Sequence, residues 1–103
     1  MDLFYLIKYT DRDGRERSLK LVDKLAPYWM MMGSLLGIEQ QQLDIWERKY
    51  DSPSNCSRAA LTYFLSHGSC GTYRYPSTWG GMIKLLQDLD LRETAEEIQR
   101  IAH

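Results

Sequence analysis

The chain has little cysteine, little proline, little histidine and no excess of positive charge. Two cysteines, Cys56 and Cys70, occur in 103 residues. That is too few for a disulfide scaffold and favours free thiols in a reducing compartment. The opening Met1-Asp-Leu-Phe-Tyr-Leu-Ile-Lys8 lacks the basic start and long apolar core of a secretory signal. A cytoplasmic location is therefore expected. The most apolar window, Ala26 to Ile38, is broken by Pro27, Gly33, Ser34 and Gly37 and is too short to span a bilayer. No membrane association is expected. The formal net charge of −1 argues against a dedicated polyanion binder, which shows a basic excess or stripe.

Metal and nucleophile chemistry are thin as well. Apart from the methionines, the soft ligands are Cys56, His67, Cys70 and His103. His67-x-x-Cys70 has a spacing found in zinc sites, but a structural site needs four ligands. Cys56 falls on the inward face of its helix and reads as a small core residue. A Cys-His nucleophile pair would need a positioned base and an oxyanion donor in a cleft. A bundle of this size offers little room for one. No cofactor, no metal and no enzymatic activity are expected.

What is present points to a packed helical domain. The 44% hydrophobic and 12% aromatic content excludes a disordered segment, and the length gives one domain. Leu3, Leu6 and Ile7 share helical spacing, whereas Phe4, Tyr5, Ile7 and Tyr9 could form a strand; the helix is preferred. Asp13-Gly14 marks a turn in either case. Residues 1–17 are read as an extension or first-helix segment, and 18–103 as the main domain.

Leu21, Val22 and Leu25 lie on one face of a helix over Ser18 to Leu25, ended by Ala26-Pro27. A helix with Trp29 follows, and Gly37 fits its left-handed stop. Of the run Met30-Met31-Met32, one or two are expected in the core and the rest partly exposed. Glu39 to Tyr50 places Leu43, Trp46 and Tyr50 on one face. Ser52 and Pro53 read as the N-cap and first residue of a helix to about Ser66, with Cys56, Ala60, Leu61, Phe64 and Leu65 inward. Gly68 to Pro76 is a loop and a candidate contact surface. Ser77 is the expected cap of the helix carrying Trp79, Met82, Ile83, Leu86 and Leu89. Asp90-Leu-Arg-Glu93 resembles a capping box, starting a helix with Leu91, Ala95, Ile98 and Ala102 on one stripe. The three tryptophans, Trp29, Trp46 and Trp79, read as core anchors.

Charge is unevenly distributed. Residues 52–87 hold Arg58, Arg74 and Lys84 and no acid. Residues 88–103 hold Asp88, Asp90, Glu93, Glu96 and Glu97 against Arg92 and Arg100. A basic patch on one copy can meet the acidic patch of another. Such a contact is heterologous and generates a ring or an open helical array.

The ordered pattern resembles the death-domain superfamily. It is carried by Trp29-x-x-x-Gly33-x-x-Leu36-Gly37-Ile38, Leu43-Asp44-x-Trp46, Cys56-x-x-x-Ala60-Leu61-x-x-Phe64-Leu65, Thr78-Trp79-x-x-Met82-Ile83-x-x-Leu86 and Leu91-x-x-x-Ala95-x-x-Ile98. It looks most similar to divergent death-like domains of invertebrate multidomain proteins. Phe64-Leu65 stands where many members have a Trp-Leu pair. The resemblance implies an all-α, six-helix antiparallel Greek-key bundle, here with an extra or split N-terminal helix.

It also implies a homotypic adaptor domain in apoptotic or innate-immune signalling. Such a domain binds itself or another death-fold domain and forms homo-oligomers or filaments. Carried onto this chain, one contact of such assemblies would join Arg58, His67, Arg74 and Tyr75 to Asp88, Asp90, Arg92 and Glu93. The charge split predicts the same pairing. A small helical nucleic-acid-binding domain is the alternative. Against it stand the net charge and the lack of a basic recognition helix, so no nucleic-acid partner is expected.

Overall fold

A computed structural model describes residues 8–10, 13–18, 20–67 and 75–102. Strand β1 (Lys8–Thr10) pairs antiparallel with β2 (Glu16–Ser18), with Tyr9 opposite Arg17. The turn between them contains Asp13-Gly14, as expected. The preferred N-terminal helix is not what Lys8–Thr10 form; Leu3, Phe4, Tyr5, Leu6 and Ile7 lie outside the described residues. The helix expected from Ser18 starts three residues later. Ser18 is committed to the ladder, and Lys20 turns the chain in a left-handed conformation with φ 52°.

Six α-helices follow among the described residues: α1 (Leu21–Leu25), α2 (Trp29–Leu35), α3 (Gln40–Lys49), α4 (Pro53–His67), α5 (Trp79–Asp88) and α6 (Arg92–Ala102). A 3-10 turn, Ala26–Tyr28, joins α1 to α2. Pro27 sits there because its fixed φ suits a first helical turn, and its missing N–H is not needed. No helix among the described residues is long and apolar enough to cross a membrane.

Helix α4 is the central post. Cys56, Ala60, Leu61 and Phe64 form its buried face, and α1, the 3-10 turn, α2 and α3 all pack on it. Leu21, Leu25, Met32, Leu36 and Leu43, each shielded completely from water, are brought to this core by the surrounding elements. Helices α5 and α6 form a tight hairpin that adds Met82, Leu85, Leu86, Ala95 and Ile98 to the same cluster. Truncating a residue such as Leu61 or Phe64 would cost roughly 2–5 kcal/mol. That is a large share of the roughly 5–15 kcal/mol that holds a domain together.

Most of the expected core is found as read. Trp29, Leu36, Ile38, Leu43, Leu61, Phe64, Leu86 and Ile98 are buried. Trp46, Leu65, Trp79 and Ile83 are partly buried against them. In α5 the buried arc is rotated from the expected stripe, because Leu85 is fully buried whereas Ile83 is only partly buried. Of the methionine run, Met32 is buried, Met30 is partly buried and Met31 is exposed.

Side-chain bonds fix the relative placement of the helices. Lys24 of α1 pairs with Glu97 of α6 at 3.1 Å, and Ser54 of α4 donates to Asp23 of α1 at 3.4 Å. Both are partly exposed and contribute at most about 1 kcal/mol each. Their role is to set which faces meet rather than to drive folding.

Two small residues matter by position. Ser57 is fully buried, and its hydroxyl finds no hydrogen-bond partner among the described residues. Gly81, in the first turn of α5, packs against the Pro76 backbone. A Cβ there would overlap the Pro76 carbonyl oxygen and lie 2.9 Å from the carbonyl carbon. The neighbouring Gly80 has open space around it, with Thr78 Oγ1 no nearer than 3.8 Å.

These observations give two expectations, both measurable by urea unfolding. Gly81→Ala should lower stability by about 2 kcal/mol or more, since backbone must move. Gly80→Ala should be neutral or gain up to about 1 kcal/mol through helix propensity. Equal effects at the two glycines would contradict the packing. Separately, Ser57→Ala should cost nothing or gain about 1 kcal/mol, because it removes a buried unpaired hydroxyl. A loss above that size would mean the hydroxyl is bonded in solution.

Candidate interaction surface

The residues expected to make contacts fall on α4, the loop after it, and the corner between α5 and α6. Their presentation depends on how the helices start and stop. Pro53 opens α4 with Ser52 before it, and the Asn55 N–H donates to Ser52 Oγ at 3.2 Å. This is the expected cap. Arg58 then lies on the exposed side of α4. His67 is the last residue of α4, and only its backbone is described. Arg74 lies outside the described residues, as does Cys70.

Tyr75 does not lie on the surface. It is fully buried, and its hydroxyl donates to Asp88 Oδ2. The expectation that it contacts a partner directly is therefore corrected. An aromatic ring of this size is more useful in the core, and its hydroxyl reaches a carboxylate at the rim. The same stretch shows a second difference. Ser77 is not the cap of α5; its hydroxyl donates to the Leu65 carbonyl at 2.8 Å and ties the loop to the end of α4. Thr78 is the cap, accepting from the Gly81 N–H at 3.1 Å.

The α5–α6 corner is a tight turn. The Leu91 N–H bonds the Leu86 carbonyl at 2.9 Å and the Asp90 N–H bonds that of Gln87 at 3.0 Å. This is the paired closure of a helix by a left-handed residue. Asp90 occupies that residue with φ 61°. It therefore ends α5 rather than capping α6, whose first turn is joined by the bond from the Ala95 N–H to the Leu91 carbonyl at 3.0 Å. The expected capping box is corrected on this point. The result is an outward corner: Asp88, Asp90, Arg92 and Glu93 are all exposed. Asp90 and Arg92 face each other at 3.5 Å with side chains 86% and 83% exposed, so solvent screens most of their attraction.

The same turn closes α2. Gly37 has φ 83°, with Ile38 N–H bonding the Gly33 carbonyl at 3.0 Å and Gly37 N–H that of Ser34 at 3.1 Å. This bears out the expected glycine stop. Gly33 itself admits α3: a Cβ there would meet Leu43 Cδ2 at 2.5 Å.

The family model for the death domain matches residues 6–102. The chain belongs to the death-domain family. The matched span takes in the hairpin as well as the six helices. The all-α bundle is the death fold, and death domains are interaction modules that bind other death-fold domains. Neither a curated protein nor a solved structure gives a match to this chain.

This death domain also has a concave feature that the sequence did not flag. An open trough of 390 Å³ runs between α3 and α4, with Trp46, Tyr50 and Tyr63 along it and Arg58 at its side. Individual aromatics read as core anchors, and nothing in their spacing shows that two helices leave a gap between them.

Cys56 carries no reactive chemistry here. It is 2% exposed, and its thiol points toward the Trp46 carbonyl at 3.7 Å. Burial pushes the thiol up, and the nearby Glu47 carboxylate adds to the effect. It stays protonated at neutral pH.

The left-handed residue at the corner is the testable element. Asp90→Gly should be more stable than Asp90→Ala by about 1 kcal/mol, because both lose the carboxylate but alanine keeps a Cβ at positive φ. Thermal melts of the two variants measure this. Equal midpoints would place Asp90 outside the left-handed region in solution.

Proposed function

We propose that this death domain is a homotypic adaptor that assembles with copies of itself or with another death-fold domain, in apoptotic or innate-immune signalling in the cytoplasm. It works without catalysis or cofactor. Arg58, His67 and Arg74 on one copy meet Asp88, Asp90 and Glu93 on the next, with Arg92 beside them. Tyr75 acts from within, by holding Asp88 at the rim. The interacting unit is residues 18–103.

The α5–α6 corner carries this reading. Three carboxylates stand exposed around a turn that the helix ends hold in place, while the preceding stretch contains cations and no acid. The two patches differ in sign and lie on different parts of one chain. Pairing them between copies is head-to-tail, which suits an open helical oligomer. Exposed charges of this kind set register and encounter rate more than affinity. Assembly should therefore be strongest at low ionic strength and fall as the screening length shortens.

Light scattering across a salt series tests this. The parent chain should form large species at low salt that shrink as salt rises. Arg74→Glu should abolish them. Arg74→Glu mixed with Asp90→Arg should restore association, because the two reversed patches then match. Assembly unchanged by Arg74→Glu would remove the proposed pairing.

A further inference from the structure

The trough between α3 and α4 lies apart from the α5–α6 corner, and its chemistry is different. Trp46 in the last turn of α3 and Tyr50, just past the end of that helix, contribute aromatic surface together with Tyr63 of α4. Asn55, Arg58, Thr62 and Ser66 recur at helical spacing along α4 and supply a polar line. From Asn55 to Ser66 the helix rises about 16 Å. An extended chain covers that distance with about five residues.

Charge selects the occupant. Arg58 forms no ion pair among the described residues and is exposed. Lys49 is a further cation nearby but outside the lining, its ammonium 5.5 Å from the centre of the Tyr50 ring. No carboxylate among the described residues lines the trough. The acids nearby, Glu47 and Asp51, line a separate hollow with Cys56 on the other side of Tyr50. A small ligand needs most of its surface enclosed, and this trough is open to solvent. A peptide needs cover on one side only. A nucleic-acid strand would need more than two cations to hold its phosphates.

We propose that the α3–α4 trough binds an extended acidic peptide segment of a partner protein. One apolar or proline side chain of the segment rests against Trp46 and Tyr63. A flanking Asp or Glu pairs with Arg58, and the peptide backbone bonds the polar line on α4. Tyr50 lies under both the Lys49 cation and the apolar contact. This site goes beyond the homotypic assembly but shares Arg58 with it, so peptide binding is measured on the dissociated chain at high dilution.

The test is selection from a random peptide display library on the immobilised full chain. The best peptide is then measured by fluorescence anisotropy. Selected peptides should share an acidic residue beside an apolar one. Arg58→Glu, with its fold checked by circular dichroism, should weaken binding roughly tenfold. Exchanging the peptide acid for lysine should restore binding to Arg58→Glu. At a dilution where the parent chain is monomeric, Arg74→Glu should leave peptide binding unchanged, which separates this site from the assembly contact. Four results would each overturn the proposal: no enrichment, an enriched sequence without acid, equal binding by Arg58→Glu, or a single-stranded oligonucleotide that displaces the peptide.

Discussion

Ala60, Leu61 and Phe64 stand fully out of water on one face of α4, and α1, the 3-10 turn, α2 and α3 stack onto that helix. Short helices are marginal on their own and persist by burying an apolar face against a neighbour. Helix α1 has five residues and α2 has seven, so neither is expected to survive without α4. The longer helix is thus the surface on which the shorter ones become helices. Its outward side stays polar, which leaves Arg58, Thr62 and Ser66 available at the edge of α3.

The helix ends decide what the outside looks like. Two corners use the same hydrogen-bonded closure, one built on Gly37 and the other on Asp90. Glycine at the first keeps that corner small, and Leu36 and Ile38 on either side of it are buried. Aspartate at the second leaves a charge on the outside of a turn whose path is fixed. Aspartate visits the left-handed region more readily than most residues with a side chain. The two corners show one piece of backbone chemistry serving the core in one place and the surface in another.

Much of this was legible in the sequence. Helical spacing of Leu43 with Trp46, and of Leu61 with Phe64 and Leu65, located α3 and α4 and their inward faces. Gly37, and Ser52 with Pro53, gave local signals strong enough to place a stop and a start. The misreadings share a cause. Ser77 and Thr78 are both good caps, and only the closeness of the chain to Leu65 assigns the first to the loop. Asp90 followed by Glu93 has the spacing of a cap, but the turn closing α5 reaches the residue first. Lys8–Thr10 have ambiguous periodicity, and the partner strand at Glu16–Ser18 decides the matter. Tyr75 lies in a polar, glycine-containing stretch that reads as surface; the core cavity that receives its ring is made by residues distant in sequence. In each case a contact between distant segments overrides a local preference. The trough between α3 and α4 was illegible for the same reason, since it exists only between two elements.

The sealed thiol of Cys56 has a practical consequence. It is 2% exposed on the inward face of α4, and burial keeps it in its unreactive protonated form. Alkylation at this sulfur, which borders the hollow beside Tyr50, is therefore slow in the folded chain and quickens when α4 lifts from its neighbours. A single native atom thus acts as a clock for opening at the centre of the bundle, readable by mass spectrometry without introducing any label into the folded chain.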